Sequence, residues 1–448
     1  MKKNAIVVGA GLVGSLWAVF LSKAGYKVKI FERRPDIRKA EITAGKSINL
    51  ALSNRGWKAL EILGIRSEIE KIAIPMYGRM MHDLDGKCTY QAYGKKDQAI
   101  YSVSRGGLNA KMMDIAEEYG DAEIFYNERC YDVDTQKGIV HLENSETGTQ
   151  TSHEADLIFG ADGAFSAVRY SGFQKIDRFN YSQNYIADGY RELLLPANED
   201  GSYKLDKNCL HIWPRGRFML IALANEDGSF TCTLFMPFEG EQSFSALKTD
   251  QDVDRFFKQT FPDFYDMMPD VVGNWHSHPL SSLAIIRCYP WMDGKTALIG
   301  DAAHATVPFY GQGMNAGFED CTVMWDIMQK HPDDWQTIFS KYQESRKPDG
   351  DAMQNLSLNN YYVMRDYVAD PMFLLRKKIE ARFSEKYPDK WMPLYSQVTF
   401  SDIRYSEAWA AGERQDNIMD QIMAMPDIKS KWDSEEIEKQ LLNLLNQG

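Results

Sequence analysis

Residues 4–14 read Asn4-Ala5-Ile6-Val7-Val8-Gly9-Ala10-Gly11-Leu12-Val13-Gly14, and residues 26–34 read Tyr26-Lys27-Val28-Lys29-Ile30-Phe31-Glu32-Arg33-Arg34. The apolar run Ala5 to Val8 has the pattern of a buried parallel strand. Gly9, Gly11 and Gly14 follow at the spacing G-x-G-x-x-G. Leu12 to Ala24 is apolar all round, as expected of a helix packed on a sheet, with Gly25 placed to end it. Val28 to Phe31 reads as a second strand, closed by Glu32. In such a unit Gly9 permits the tight turn and Gly11 lets a pyrophosphate approach the backbone. Gly14 lets helix and strand pack closely, and the helix start offers free N–H groups to phosphate oxygens. Glu32 is placed to accept hydrogen bonds from a ribose diol. Lys2 and Lys3 before the uncharged run Asn4 to Ser22 also fit a targeting segment. Three glycines would weaken such a helix, no A-x-A site follows, and the acid at the second strand end favours dinucleotide binding.

The chain has 448 residues, 44% hydrophobic and 25% charged. That is ordinary globular composition, long enough for two or three domains. The net charge of −12 leaves no basic field for nucleic acid or anionic lipid, so neither is an expected partner. Six scattered cysteines form no C-x-x-C or zinc spacing and read as free thiols of a reducing compartment. His276 and His278 are expected in a loop, and no metal site is expected.

Pro35 to Lys46 reads as a loop on the nucleotide side. Ser47–Leu52 is expected as a strand, and Asn54–Leu63 as a helix begun by an Asn cap. Met76–His82 is expected as one strand carrying Arg79, then Tyr90–Tyr93 after a turn at Asp85-Gly86. A helix from Arg105 to Tyr119, a strand from Ala122 to Tyr126 and a hairpin over 139–151 follow. Asp156 to Gly163 is a second apolar strand ending in Gly and Asp. Four strand-like segments between Tyr185 and Met236 lack nucleotide motifs. In the last, Phe230, Cys232, Leu234 and Met236 alternate with Thr231 and Thr233, the pattern of a half-exposed antiparallel strand. Thr296–Ile299 ends at Gly300-Asp301, and a glycine-rich turn with Gly311 and Gly313 opens a helix over Ala316–Lys330. Beyond Asp333 the chain reads as helical, interrupted at Pro348, Pro371, Pro388 and Pro393. Ile437, Leu441, Leu444 and Leu445 form one face of a last helix, expected to pack on the protein. The expected division is 1–174 with 286–335 as a dinucleotide-binding α/β domain, 175–285 with parts of 70–105 as a substrate sheet, and 336–448 as a helical region.

The Gly9/Gly11/Gly14/Glu32 turn, the Asp162-Gly163 strand end and Gly300-Asp301 with its glycine-rich helix start occur in that order. This set resembles the FAD-dependent aromatic hydroxylases, the single-component flavoprotein monooxygenases. The resemblance implies an α/β fold: a Rossmann-like FAD-binding domain, an inserted β-sheet substrate domain and a C-terminal helical region. Phe31-Glu-Arg-Arg-Pro35, Ser47-Ile-Asn-Leu-Ala-Leu52, Tyr77-Gly-Arg-Met80, Leu210-His-Ile-Trp-Pro214, Val307-Pro-Phe-Tyr-Gly-Gln-Gly-Met-Asn315 and Tyr395-Ser-Gln-Val-Thr-Phe400 are similar to the kynurenine-hydroxylating branch. By that resemblance Arg79, Tyr93, Asn360 and Tyr395 contact the amino-acid end of L-kynurenine. Gly9, Gly11, Val13, Gly14, Glu32, Arg33, Arg34, Ala51, Arg105, Asp301, Gly313, Met314 and Asn315 line FAD. It also implies NADPH as transient reductant, O2 as co-substrate, and ring hydroxylation through a flavin hydroperoxide with no protein nucleophile. Eukaryotic members carry a C-terminal membrane anchor; Lys431 to Gly448 is polar here, and a soluble, bacterial-type cytoplasmic enzyme is implied.

Physical reading of the same residues supports part of this. A ligand carboxylate in an apolar pocket needs a fixed cation, and arginine offers a planar fork. Arg79 sits beside Met80 and Met81, so its charge needs either such a ligand or an internal carboxylate. Asp301 suits ribityl hydroxyls, though any such Asp can cap a turn. The helix start near Asn315 would stabilise negative charge on a reduced flavin. Asn360, Tyr93 and Tyr395 rest on the resemblance alone, while His304 and Asp162 read as structural. Two other readings stay open: another flavin hydroxylase or epoxidase, and a non-catalytic protein on the same nucleotide fold.

Overall fold

The computed structural model describes residues 3–39, 49–94, 98–119, 122–364 and 370–447. Its first layer is a six-stranded sheet in the order Met292–Asp293, Thr296–Leu298, Leu157–Gly160, Asn4–Val8, Lys27–Phe31, Ala122–Phe125. All neighbours are parallel except the Met292–Asp293 edge. The central strand is apolar because helices cover both faces. Leu16, Trp17, Phe20 and Leu21 of the helix Leu12–Lys23 are fully buried there. Ala24 ends that helix in right-handed geometry, and Gly25, at φ +89°, makes the reversal one residue later. The register aligns the strand ends: Val8 lies opposite both Phe31 and Gly160, and Gly160 opposite Leu298. Parallel strands that end together put their following loops at one edge, where ligands of open α/β sheets bind.

The second layer is a seven-stranded sheet in the order Ser281–Tyr289, Asn180–Leu195, Phe230–Pro237, Met219–Ala224, Cys209–Pro214, Gly78–His82, Cys88–Ala92. The expected strand Met76–His82 is divided. Ile74–Met76 pairs with Ile100–Val103, whereas Gly78–His82 joins the large sheet. At the crossing, a Cβ on Gly78 would lie 2.6 Å from the Tyr90 ring.

Phe230–Pro237 is not half-exposed: Thr231 and Thr233 are as buried as their apolar neighbours. One face packs on the helices Asp250–Thr260, Pro262–Met267 and Val271–Ser277, and Phe235 faces a second core beside Phe309 and Tyr361. Those three helices were not expected from the sequence, and they place His276 on a helix rather than in a loop. His276 contacts Asp250, and His278 turns to the Asn274 carbonyl. Among the described residues no group of three metal-ligating side chains converges.

Pro348 does not interrupt the chain. It lies inside the helix Trp335–Tyr362. A proline there removes one N–H and strains a turn, and ion pairs of the flanking Arg346 and Asp349 hold the helix across it. Pro371 opens its helix, and Pro393 precedes Leu394–Phe400. The helix Asn54–Leu63 is preceded by Ser53 at the cap position, and the Asn54 side chain reaches Asp402 instead. The glycine-rich helix begins at Gly313, three residues before the expected Ala316. Ile437 and Leu441 pack on Ile379, Phe383 and Trp391, as their spacing requires. The expected loop Pro35–Lys46 and strand start Ser47–Ile48 fall largely outside the described residues. Within them, Ile37–Lys39 form a 3-10 turn and Leu50–Leu52 the strand. No helix among the described residues is long and apolar enough to cross a membrane.

Candidate functional site

Three loops meet at the carboxyl edge of the parallel sheet. Gly9 has φ +104°, and a Cβ there would lie 2.7 Å from the Ala161 carbonyl oxygen. A Cβ on Gly14 would lie 2.0 Å from the Gly9 carbonyl oxygen, so helix and turn touch backbone to backbone. A Cβ on Gly11 would meet nothing within 4 Å, and the helix N-terminus opens there. Glu32 is 6% exposed. Its Oε2 accepts the Ala10 N–H at 3.0 Å, and its Oε1 accepts the Arg34 backbone N–H and Nε at 3.1 and 2.8 Å. Arg33 is exposed beside it.

On the neighbouring loops, Asp162 accepts from the Ser166 hydroxyl and from the N–H groups of Ala167 and Val168. It caps the helix Ala167–Ser171, the structural role its sequence allowed. Gly300 turns at φ +59°, and Asp301 opens a one-turn helix with no side-chain partner among the described residues. Val13 packs against Gly300 and Gly317, which seats the turn and the glycine-rich helix on the first helix.

Gly313, Met314 and Asn315 form the first turn of the helix Gly313–Lys330, whose cap residue Gln312 supplies no side-chain bond to its N–H groups. The Asn315 side chain is fully used: Oδ1 accepts from Ser53, and Nδ2 donates to the carbonyls of Ala51 and Gly311. Ala51 lies opposite Ser102 in the small sheet, and Arg105 stands exposed three residues beyond. These features fit a dinucleotide. Open space at Gly11 is bounded by one helix N-terminus and by the Glu32 carboxylate, and a second helix start and a free Asp301 lie along the same edge.

The other expected cluster is also assembled. The Arg79 guanidinium stands 5.3 Å from the Tyr93 ring centre and 4.9 Å from that of Tyr395. The two rings stack at 5.3 Å, and Tyr310 stacks on the far side of Tyr395 at 5.7 Å. Arg79 Nε and the Tyr93 hydroxyl are buried without a hydrogen-bond partner. No carboxylate among the described residues pairs with Arg79, so the internal ion pair that the sequence left open is not formed there. Burial pushes the phenols of Tyr93 and Tyr395 up, which keeps both as hydroxyl donors. Asn360 reaches this cluster indirectly: its Nδ2 donates to the Phe309 carbonyl at 2.6 Å, next to Tyr310.

His304 is buried. Its Nε2 lies 2.6 Å from Asp320, which also accepts the Gly300 N–H and pairs with Arg346. Burial alone would raise the Asp320 carboxyl, but His304 and Arg346 outweigh it and hold the group at about 2. Residues that sequence reasoning missed are Tyr310, Arg55, Glu319, Asp320 and Arg346. Arg55 shares a helix face with Ala59 and Leu63, so a buried charge was readable there; its partners were not.

The family model described as FAD binding domain matches residues 2–357. The class is thus that of FAD-binding flavoproteins, as the three loops imply. A kynurenine 3-monooxygenase of Flavobacterium psychrophilum is 51% identical, with 99% of each chain covered. One of Dictyostelium discoideum is 42% identical over 94% of each. The chain belongs to the kynurenine 3-monooxygenase family. Among solved structures, 2-methyl-3-hydroxypyridine-5-carboxylic acid oxygenase superposes with TM-score 0.67 at 20% identity, covering 83% of this chain and 94% of its own. Klebsiella pneumoniae HpxO complexed with FAD and uric acid gives 0.66 at 19% identity, covering 86% and 95%. These two share the fold.

Proposed function

We propose that this protein hydroxylates L-kynurenine to 3-hydroxykynurenine with NADPH and O2, using FAD bound at the carboxyl edge of the parallel sheet. When bound, FAD accepts reducing equivalents from NADPH and activates O2 for transfer of one oxygen atom to the ring carbon ortho to the amine. In this reading residues 1–174 and 286–335 hold the cofactor, and the large sheet of 175–285 with parts of 70–105 covers the substrate. Residues 336–448 close the site. Gly9, Gly11 and Gly14 admit the pyrophosphate, Glu32 accepts a ribose diol, and Asp301 accepts ribityl hydroxyls. The free N–H groups at Gly313 and Met314 would stabilise negative charge on the bound flavin. Arg33, Arg34, Ala51, Val13, Arg105 and Asn315 shape the rest, the last as a brace for the strand at Ala51.

Arg79 holds the amino-acid carboxylate of the substrate, and Tyr93 and Tyr395 flank it as hydroxyl donors. Asn360 contributes through the Phe309–Tyr310 segment. The single observation that carries the assignment is Arg79. A half-buried guanidinium beside two stacked aromatic rings, with a buried, unpaired Nε and no carboxylate partner among the described residues, is matched by an anionic ligand. The packed rings exclude water, which protects the oxygen-transfer chemistry from wasteful loss as H2O2. A cytoplasmic location agrees with six unpaired cysteines.

The test is NADPH oxidation by the purified protein, with and without L-kynurenine, with the product weighed by mass spectrometry. The expected result is strong stimulation and a product heavier by one oxygen. Stimulation that yields only H2O2 would make kynurenine an effector of a different hydroxylase. A colourless protein that cannot take up FAD would leave a non-catalytic nucleotide-fold protein.

A further inference from the structure

Arg55 is 1% exposed, yet it lies in neither the expected cofactor site nor the substrate cage. Its Nη1 pairs with Glu319, its Nη2 donates to the Ile403 carbonyl, and its Nε donates to the Val398 carbonyl at 3.3 Å. Its guanidinium also lies 4.1 Å from the centre of the Tyr405 ring. Val398 belongs to the short helix Leu394–Phe400, which carries Tyr395 near its start. The last carbonyls of a helix have no partner within it and carry partial negative charge, so a buried cation there fixes the helix end. Glu319 continues the chain of contacts: its other oxygen pairs with Arg346 at 2.7 Å, Arg346 with Asp320 at 2.7 Å, and Asp320 accepts the Gly300 N–H at 2.9 Å. From the other side, Tyr405 donates to Gln312, the residue before the Gly313 helix start.

We propose that Arg55 is a positioning residue that fixes the Tyr395 side of the substrate cage relative to the flavin-side helix. It touches neither substrate nor cofactor. It joins two elements that the reaction needs in register: the ring that flanks Arg79, and the helix Gly313–Lys330, whose first turn would hold the flavin side of the cofactor. The acids and cations of the cluster balance, since Glu319, Asp320 and Asp349 meet Arg55, Arg346 and Arg404. Removing Arg55 therefore releases the Tyr395 helix while leaving Asp320 and the Gly300 turn paired as before. The inference rests on the function proposed above.

The test is Arg55→Lys, with Glu319→Gln as a second variant in case the first does not fold. Each holoenzyme is assayed for FAD content, thermal midpoint, KM for L-kynurenine and the fraction of NADPH that ends in hydroxylated product rather than H2O2. Lysine keeps the charge but cannot bridge Glu319 and two carbonyls together. The expected result is normal FAD content, a KM raised at least tenfold and a hydroxylated fraction at least halved. Either variant, folded and loaded with FAD, that keeps wild-type KM and coupling overturns the proposal, as does a loss of FAD in parallel with coupling. If wild-type enzyme itself fails to respond to kynurenine, the functional reading fails first, and the two failures are thereby told apart.

Discussion

Arg79 and Tyr395 come from opposite ends of the chain, and the guanidinium of one lies 4.9 Å from the ring centre of the other. Arg79 is carried by an inner strand of the large sheet, Tyr395 by a short helix of the C-terminal region. A half-buried cation in aromatic surroundings has its attraction to the ring faces, but its buried Nε lacks the hydrogen bond that water gave it. Arg79→Ala is therefore expected to weaken L-kynurenine binding by about 3 kcal/mol, roughly a hundredfold in Kd. Arg79→Lys should recover only part of that. Titration of the bound flavin's absorbance with kynurenine measures both, and an unchanged Kd in the alanine variant would reject the carboxylate role.

The glycines of the first turn separate folding from cofactor binding. Gly11→Ala adds a methyl into open space, so the fold should be kept while FAD affinity falls by roughly tenfold or more, about 1.4 kcal/mol. Gly14→Ala drives a methyl to within 2.0 Å of the Gly9 carbonyl and should cost the fold about 3 kcal/mol or more. Thermal unfolding of the two apoproteins, together with FAD retention on gel filtration, distinguishes the two effects.

Acid sensitivity should come in part from an inner strand of the large sheet, Cys209–Pro214. His211 is 2% exposed, and its Nε2 donates to the Asp206 carbonyl, which leaves Nδ1 to accept from His82. Burial pushes the imidazole down from 6.5 to about 4. A group depressed in the folded state binds fewer protons than the unfolded chain does. Its contribution is complete above the unfolded value and lost as pH falls from 6.5 towards 4, up to about 3 kcal/mol. Urea midpoints measured across that window should fall with pH in the wild type and fall less in His211→Gln. Parallel slopes would rule this origin out.

Asp320 is buried between Arg346, His304 and the Gly300 N–H. Asp320→Asn retains an acceptor but removes the charge, leaving Arg346 with Glu319 and Asp349 only. Breaking a buried pair from one side is expected to cost about 3–5 kcal/mol. Denaturant unfolding gives the number directly, and a loss below about 1 kcal/mol would mean that the pair behaves as an exposed one.

The nucleotide edge was legible in the sequence because its logic is local. The strand, the glycine turn, the helix and Glu32 lie within one short stretch, and each residue's role follows from its immediate neighbours. The strand ends at Gly160 and Leu298 were legible for the same reason. Periodicity failed where burial came from elsewhere in the chain. Thr231 and Thr233 look like an exposed face until the core around Phe309 and Tyr361 covers the side of the sheet that they share with Phe235. Pro348 looks like a break until ion pairs on both sides hold its helix.

By itself the sequence determined the class of fold, the cofactor edge and, through resemblance, the residues to look for at the amino-acid end of the substrate. Only the tertiary structure decided that Arg79 has no carboxylate partner among the described residues, and that Tyr310 extends the stack on Tyr395. It alone decided that Arg55, Glu319, Arg346 and Asp320 link the helix of Tyr395 to the Gly300 turn. Those facts depend on which distant side chains share one low-dielectric space, and the spacing of residues along a chain does not encode that separation.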